Sequence, residues 1–240
     1  MMTQRTLIIG GATGIGFAVA QLMAKRGDNI ILAGRNANKL SNASQRLQTI
    51  DSTVDALEID IADEEQLKNL SLTLGKVDHI VVTAGSQAPG GIFTSLDFQK
   101  AKQAFDIKFW GGLAVARYLS DNINPGGTLT LTSGFLARRT VPGTMVKTTM
   151  NAALEAAVKI LAKELSPLRV NIISPGLTDT EAYASMAPEA RQQMLSRAAE
   201  NLPAKTFGHA EDLAKGYLFV IDNPFVTGSV VDIDGGALIN

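Results

Sequence analysis

The segment LIIGGATGIGFAVAQLMAKRG, residues 7–27, constrains this chain more than any other. It reads as an apolar strand, a glycine-rich turn and an amphipathic helix carrying Ile15, Val19, Leu22 and Met23 on one face, with Gly27 as the C-terminal cap. The glycines fall as Gly10-x-x-x-Gly14-x-Gly16. Gly10 lets the chain leave the strand tightly, Gly14 admits a phosphate close to the backbone, and Gly16 lets the helix pack near the strand. The helix N-terminus then presents its free N–H groups and positive end to the phosphates. The implied ligand is a dinucleotide, held by Gly10, Thr13, Gly14, Ile15 and Gly16.

The rest of the chain extends the same alternation. Leu7–Gly10, Asn29–Gly34, Thr53–Asp60, His79–Ala84, Thr128–Ser133, Val170–Ser174 and Val230–Ile233 read as strands, separated by segments of helical spacing. Runs such as LIIG, IILAG and IVVTAG are apolar nearly throughout, as strands covered on both faces must be. The pattern predicts an α/β fold of the Rossmann type, a doubly wound, mostly parallel seven-stranded sheet with helices on both faces. Long helices are expected around Asp97–Asn122 and Lys147–Leu165, with Tyr118 and Tyr217 as core residues of amphipathic helices. No linker or repeat divides residues 1–240, so one domain is expected. The irregular stretch from Pro175 to Thr206, with a weak helical pattern at Pro188–Ala199, follows a strand end and is a candidate lid at about 175–206.

Composition removes other classes. Of 240 residues, 45% are hydrophobic and 19% charged, with a formal net charge of -1, which suits a soluble protein with a full core and offers no basic stripe for nucleic acid. There is no cysteine, and the two histidines, His79 and His209, form no ligand pair, so no metal site is expected; each is placed at an element end. The opening MMTQRTLIIGGATGIG reads as a buried strand and not a signal peptide, and no run reaches the roughly 18 apolar residues of a membrane span. A cytoplasmic protein without membrane or nucleic-acid partners is expected.

The second strand ends in ILAGRN, where dinucleotide folds read the 2′ position of the adenosine ribose. A carboxylate there would bond free hydroxyls and repel a 2′-phosphate. Arg35 instead offers a guanidinium, which bonds a phosphate through two donors. NADP(H) is therefore the expected cofactor.

With these residues the chain resembles the short-chain dehydrogenase/reductase family almost end to end. Asp60-Ile61 matches the family's adenine-binding Asp and hydrophobic pair. Thr83-Ala84-Gly85 matches the end of its Asn-Asn-Ala-Gly. Ser174-Pro175-Gly176 followed by Thr180 matches the turn that holds the nicotinamide, and Asp234-Gly235-Gly236 matches its closing motif. The resemblance implies an NADP(H)-dependent oxidoreductase acting on a small or medium, mainly apolar carbonyl or alcohol, and assembly as a homodimer or homotetramer.

In that family a Ser polarises the carbonyl, a Tyr donates the proton, and a Lys four residues later holds the nicotinamide ribose, with an Asn on the preceding helix. Ser133 matches the Ser. Anchoring on Pro142-Gly143 and Ala153-Leu154-Glu155 puts Lys147 at the Tyr and Asn151 at the Lys, at the cost of a one-residue insertion between Ser133 and Pro142. The family's Asn falls on Lys108 in FDIKFWG. An exchange is expected: Lys108 supplies the ammonium and Asn151 the amide at the ribose, approached from opposite walls. The proton donor stays open among Lys147, Tyr183 in the lid, and water. The altered positions also suit an alternative, a non-catalytic NADP(H)-binding protein that senses redox state or acts through a partner.

Overall fold

The computed structural model describes residues 3–48, 52–85 and 88–240. Seven parallel strands form one sheet: β1 (Arg5–Ile9), β2 (Asn29–Gly34), β3 (Val54–Glu58), β4 (Val77–Val82), β5 (Ile123–Thr132), β6 (Arg169–Pro175) and, last in the chain, Val230–Ile233. Two short strands, β7 (Thr178–Asp179) and β8 (Gly208–His209), pair with each other outside that sheet, so the seventh strand is β9. The sheet order is β3-β2-β1-β4-β5-β6-β9. This is the seven-stranded, Rossmann-type sheet that the alternation predicts.

The strands' apolar runs are explained by burial on both faces. In β1, Leu7 and Ile9 join a cluster with Ile80, Val82 and Leu129, while Ile8 between them turns to the opposite cluster with Leu32 and Val81. Helices α3 (Glu64–Thr73), α5 (Gly111–Leu119) and α6 (Met145–Glu164) cover the first face through Leu67, Val115 and Leu154. Helices α1 (Gly14–Lys25), α2 (Ala37–Leu47) and α8 (Ala210–Asp222) cover the second through Val19, Leu40 and Tyr217. Each fully buried Leu or Ile contributes roughly 1.5–3 kcal/mol against leaving it in water, so the two layers fix both strand order and face. From β1 the chain winds outward through β2 and β3, then returns to β4 on the other side. The divergence of the β1 and β4 carboxyl ends opens a crevice there.

Several sequence expectations change. The helix expected around Asp97–Asn122 is present and continuous but widened in its middle: α4 (Phe98–Phe105) runs through wide π-type turns at Asp106–Trp110 into α5, with right-handed helical backbone at both junctions. The ring contacts Phe105–Phe109 and Phe109–Trp110 lie across this stretch, and Gly111 fits so closely on Ile61 that a Cβ would come within 2.8 Å of it. His79 is not at an element end. It lies inside β4, buried, with Nδ1 3.0 Å from Thr128 Oγ1, and burial pulls its pKa down to about 4. His209 does stand at an end, as the N-cap of α8. Tyr217 is core, but Tyr118 is only half-buried, its hydroxyl donating to Glu64. The expected lid is less irregular than its sequence: it contains β7, a helical turn at Glu181–Tyr183, and α7 (Pro188–Asn201). Among the described residues no helix is long and apolar enough to cross a membrane.

Candidate active site

A cleft of about 1020 Å³ lies at the carboxyl ends of β1, β2 and β4. Its floor is the glycine turn. Gly10 N–H donates to Ala33 O at 2.8 Å, which ties the exit of β1 to β2. Gly10 has φ +88°, and a Cβ on it would lie 2.7 Å from Ala84 N and from Thr83 Oγ1, so only glycine lets the three segments meet. Thr13, Gly14, Ile15 and Gly16 complete the floor.

The outer end of the cleft is polar. Arg35, Asn36 and Lys39 line it together with Asp60 and Ile61. Arg35 Nη1 sits 3.9 Å from Asp60 Oδ2, and both side chains are open to solvent. Asp60 also turns Oδ1 to Ala62 N–H at 3.0 Å, which closes the turn after β3. Thr83, Ala84 and Gly85 form the inner wall, Gln103, Ala104 and Ile107 face them from the α4 side, and Thr180 to Ala182 overhang from the segment after β7. Gly10, Thr13, Gly14, Ile15, Gly16, Arg35, Asp60, Ile61, Ala84, Gly85 and Thr180 are thus brought together. Lys108, Asn151, Pro175, Gly176, Ser133 and Lys147 are not among the residues lining this cleft.

Those remaining residues cluster around the ends of β5 and β6. Lys108, on the wide turns, extends its ammonium to Ser133 O at 2.9 Å and to Asn151 Oδ1 at 2.7 Å. The two side chains thus bond each other, Lys108 from the wide turns before α5 and Asn151 from α6. Burial and, secondly, the charge of Lys147 lower the Lys108 pKa to about 8. Asn151 is 6% exposed, while Lys147, one turn earlier on α6, is exposed. Among residues 145–164, the whole of α6, there is no tyrosine.

The Ser133 expectation is corrected by its hydrogen bonds. Its hydroxyl donates to Glu155 Oε1 at 2.9 Å, and the residue is 4% exposed. A hydroxyl has one proton to give, and this one is directed at a carboxylate in the protein interior, so Ser133 presents no donor to a carbonyl. A Cβ on the next residue, Gly134, would lie 2.9 Å from Asn151 Nδ2 and 3.8 Å from Pro175 O. Gly134 is therefore packed against the Asn151 amide and the end of β6. The Asn151 amide occupies the space a side chain there would need.

Glu155 was not singled out by the sequence, although a carboxylate within the apolar stripe ALEAAV was a signal. It is 7% exposed and receives Arg138 Nε at 2.9 Å besides the Ser133 hydroxyl. Arg138 continues to Asp232 and to Ser174 Oγ at 3.2 Å. This network pins the ends of β5, β6 and β9 together beneath the Lys108–Asn151 pair. Gly176 closes the same corner: its N–H donates to Ile233 O at 2.9 Å, and a Cβ would lie 2.6 Å from Asp234 Cα. Tyr183 lies in the lid turn, partly buried, and burial raises its pKa.

The chain matches known proteins over nearly its whole length. The family model described as Enoyl-(Acyl carrier protein) reductase covers residues 10–237. The curated short-chain dehydrogenase/reductase malC of Malbranchea aurantiaca is 31% identical over 250 residues, 98% of this chain and 95% of that protein. Among solved structures, a small-chain dehydrogenase in complex with NADPH is 39% identical, with a TM-score of 0.84 over 99% of this chain and 100% of the other. The MalC reductase/Diels-Alderase of the same fungus superposes with a TM-score of 0.92 at 30% identity, over 99% of this chain and 97% of its own.

Proposed function

Since this chain belongs to the short-chain dehydrogenase/reductase family of oxidoreductases, we propose that it is an NADP(H)-dependent enzyme. Its substrate is a small or medium, mainly apolar carbonyl or alcohol. The observation that carries this reading is the Lys108 ammonium, fixed by Asn151 and the Ser133 carbonyl at the mouth of β5. The glycine turn suits the cofactor, because Gly10 makes room that a Cβ would fill and the Gly14 N–H bonds an anionic oxygen, that of Glu181. The similar small-chain dehydrogenase that carries NADPH supports the same choice, and Arg35 is the group that would receive the 2′-phosphate.

When bound, the cofactor supplies or accepts the hydride. The protein's part is to hold, polarise and protonate. An ammonium has three N–H donors and no acceptor. Two of those on Lys108 are committed to Asn151 and Ser133, which leaves one for a ribose hydroxyl or the carbonyl oxygen. On α6, Lys147 stands where the family places its Tyr and Asn151 where it places its Lys, so Lys108 takes over the ribose-holding cationic role from the opposite wall. A lysine whose ammonium titrates near about 8 can also give a proton near neutrality. Lys147, exposed on α6, contributes through its charge. Asn151 and the Glu155–Arg138 network hold Lys108 in place. Assembly as a homodimer or homotetramer is part of the same proposal.

The test is to titrate the protein with NADPH and NADH at one salt concentration, then to assay a carbonyl panel with NADPH. Tighter NADPH binding and turnover of at least one carbonyl are expected. Equal or tighter NADH binding would refute the cofactor assignment. Tight NADPH binding with no turnover across the panel would establish the second reading, a non-catalytic NADP(H)-binding protein, which the absence of tyrosine from α6 favours.

A further inference from the structure

The first turn of α1 has no acidic side chain of its own, and Thr13 before it makes no side-chain capping bond. The anion at this helix end comes from far along the chain. Gly14 N–H donates to Glu181 Oε2 at 2.8 Å, and the Thr180 Cβ lies 3.4 Å from where a Gly14 Cβ would be. Both lid residues also line the cleft.

The segment that delivers this carboxylate is braced. Asp179 pairs with Arg191 of α7 at 2.5 Å, Arg191 Nη2 donates to Thr180 O at 3.0 Å, and Thr178–Asp179 is paired to Gly208–His209 as β7 with β8. Glu181 follows β7 after one intervening residue, at the start of the helical turn that Thr180 caps and that ends in Tyr183. Its carboxylate therefore reaches the glycine turn from an anchored strand end.

We propose that Glu181 is a built-in stand-in for the cofactor's phosphate, latching the lid to the N-terminus of α1 until the dinucleotide displaces it. The proposal rests on the reading that the glycine turn holds the dinucleotide pyrophosphate. A helix N-terminus favours an anion whether it comes from a side chain or a ligand, and a charge-assisted bond to a backbone N–H serves both alike. Two anions in that space repel, so binding of the pyrophosphate and the Glu181 contact exclude each other. Displacement of Glu181 moves the turn that also carries Tyr183. Cofactor binding and lid position are thereby coupled, and each lowers the affinity of the site for the other arrangement.

The experiment compares wild type with Glu181→Gln and Glu181→Ala. NADPH affinity is measured at low and high salt, and amide hydrogen exchange of residues 10–17 and 177–186 is followed without cofactor. Both variants are expected to bind NADPH about tenfold more tightly than wild type, equivalent to ~1.4 kcal/mol. The gap should narrow at high salt, and the two segments should exchange faster in the cofactor-free variants. Equal or weaker NADPH binding by both variants, or unchanged exchange, would overturn the latch while leaving the dinucleotide reading intact. Failure of all three proteins to bind NADPH would overturn that reading and the latch together.

Discussion

The two ends of the proposed site are made of different material. Under β1 and β2 the proposed cofactor wall is backbone: Gly10 and Gly16 matter because they lack a side chain, and the Gly14 N–H is a main-chain donor, here bonded to Glu181. At the ends of β5 and β6 the site is side chain: the Lys108 ammonium bonded to the Asn151 amide, and the Glu155 carboxylate bonded to the Ser133 hydroxyl and to Arg138. A backbone site tolerates no substitution at its close approaches. A side-chain site can be rebuilt, because a charge that enters from α6 in one protein can enter from the turn before α5 in another, provided its partners change with it.

The largest predicted effect lies at the side-chain end. Lys108→Met removes the only cation bonded to Asn151 and the Ser133 carbonyl among the described residues. Turnover should fall by about 10² to 10⁴, the usual worth of a general acid, while NADPH binding changes far less. The sign of the pH dependence follows from the lowered pKa. The ammonium is present below about 8 and is lost as the pH rises through that value, so carbonyl reduction should slow on the alkaline side. In Lys108→Arg the guanidinium stays charged and that limb should vanish. Steady-state rates across pH with a turned-over carbonyl measure both. A wild-type limb that persists in Lys108→Arg would assign the proton to another group.

The next effect tests whether the two side chains are an exchanged pair. Asn151→Lys alone would remove the Oδ1 that Lys108 bonds at 2.7 Å and bring a second ammonium into the same corner. Lys108→Asn alone would leave the corner without a cation. Each should cost more than the Lys108→Asn/Asn151→Lys double variant, with a coupling of about 1–3 kcal/mol in melting or denaturant titration and in turnover. Additive losses would show that the positions act independently.

The same contrast decides what could be read in advance. The sheet was legible because strands buried on both faces must be apolar throughout; Asn29–Gly34 and Val230–Ile233 agree with their expected bounds to the residue. The glycine turn that floors the cleft was legible because glycine spacing is itself the structural requirement. Ser133 was misplaced because sequence order does not say which way a hydroxyl turns. Its direction is set by Glu155, 22 residues on, in a helix that packs behind it. The wide turns between α4 and α5 were hidden for a similar reason, since Asp106–Trp110 continue a helical stretch in sequence and the widening lies in the backbone alone. Glu181 carried no signal at all, because its partner is an amide of the first helix.

At the backbone end, Gly16→Ala should behave unlike any change around Lys108. Its Cβ would lie 2.3 Å from Gly10 O and 2.4 Å from Thr83 Oγ1, so α1 must shift away from the β1 exit. Overpacking of this kind costs about 1–3 kcal/mol, and the displaced turn should lose NADPH and NADH affinity together. Urea unfolding read beside cofactor titration checks both. An unchanged midpoint with unchanged binding would mean that the close approach is not a constraint.

The smallest effect should be at Arg35, which lies at the backbone end but acts through its side chain. Its guanidinium is 57% exposed and only 3.9 Å from Asp60, a contact that solvent and salt weaken. Arg35→Ala should therefore reduce NADPH affinity by about tenfold at low salt, less at high salt, and leave NADH nearly unaffected, because only NADPH brings the 2′-phosphate that the fork can grip. Paired titrations at two salt concentrations separate the outcomes. A loss shared equally by both cofactors would mean that Arg35 shapes the adenosine wall and does not read its charge. Discrimination would then pass to Lys39, the other cation lining that end of the cleft.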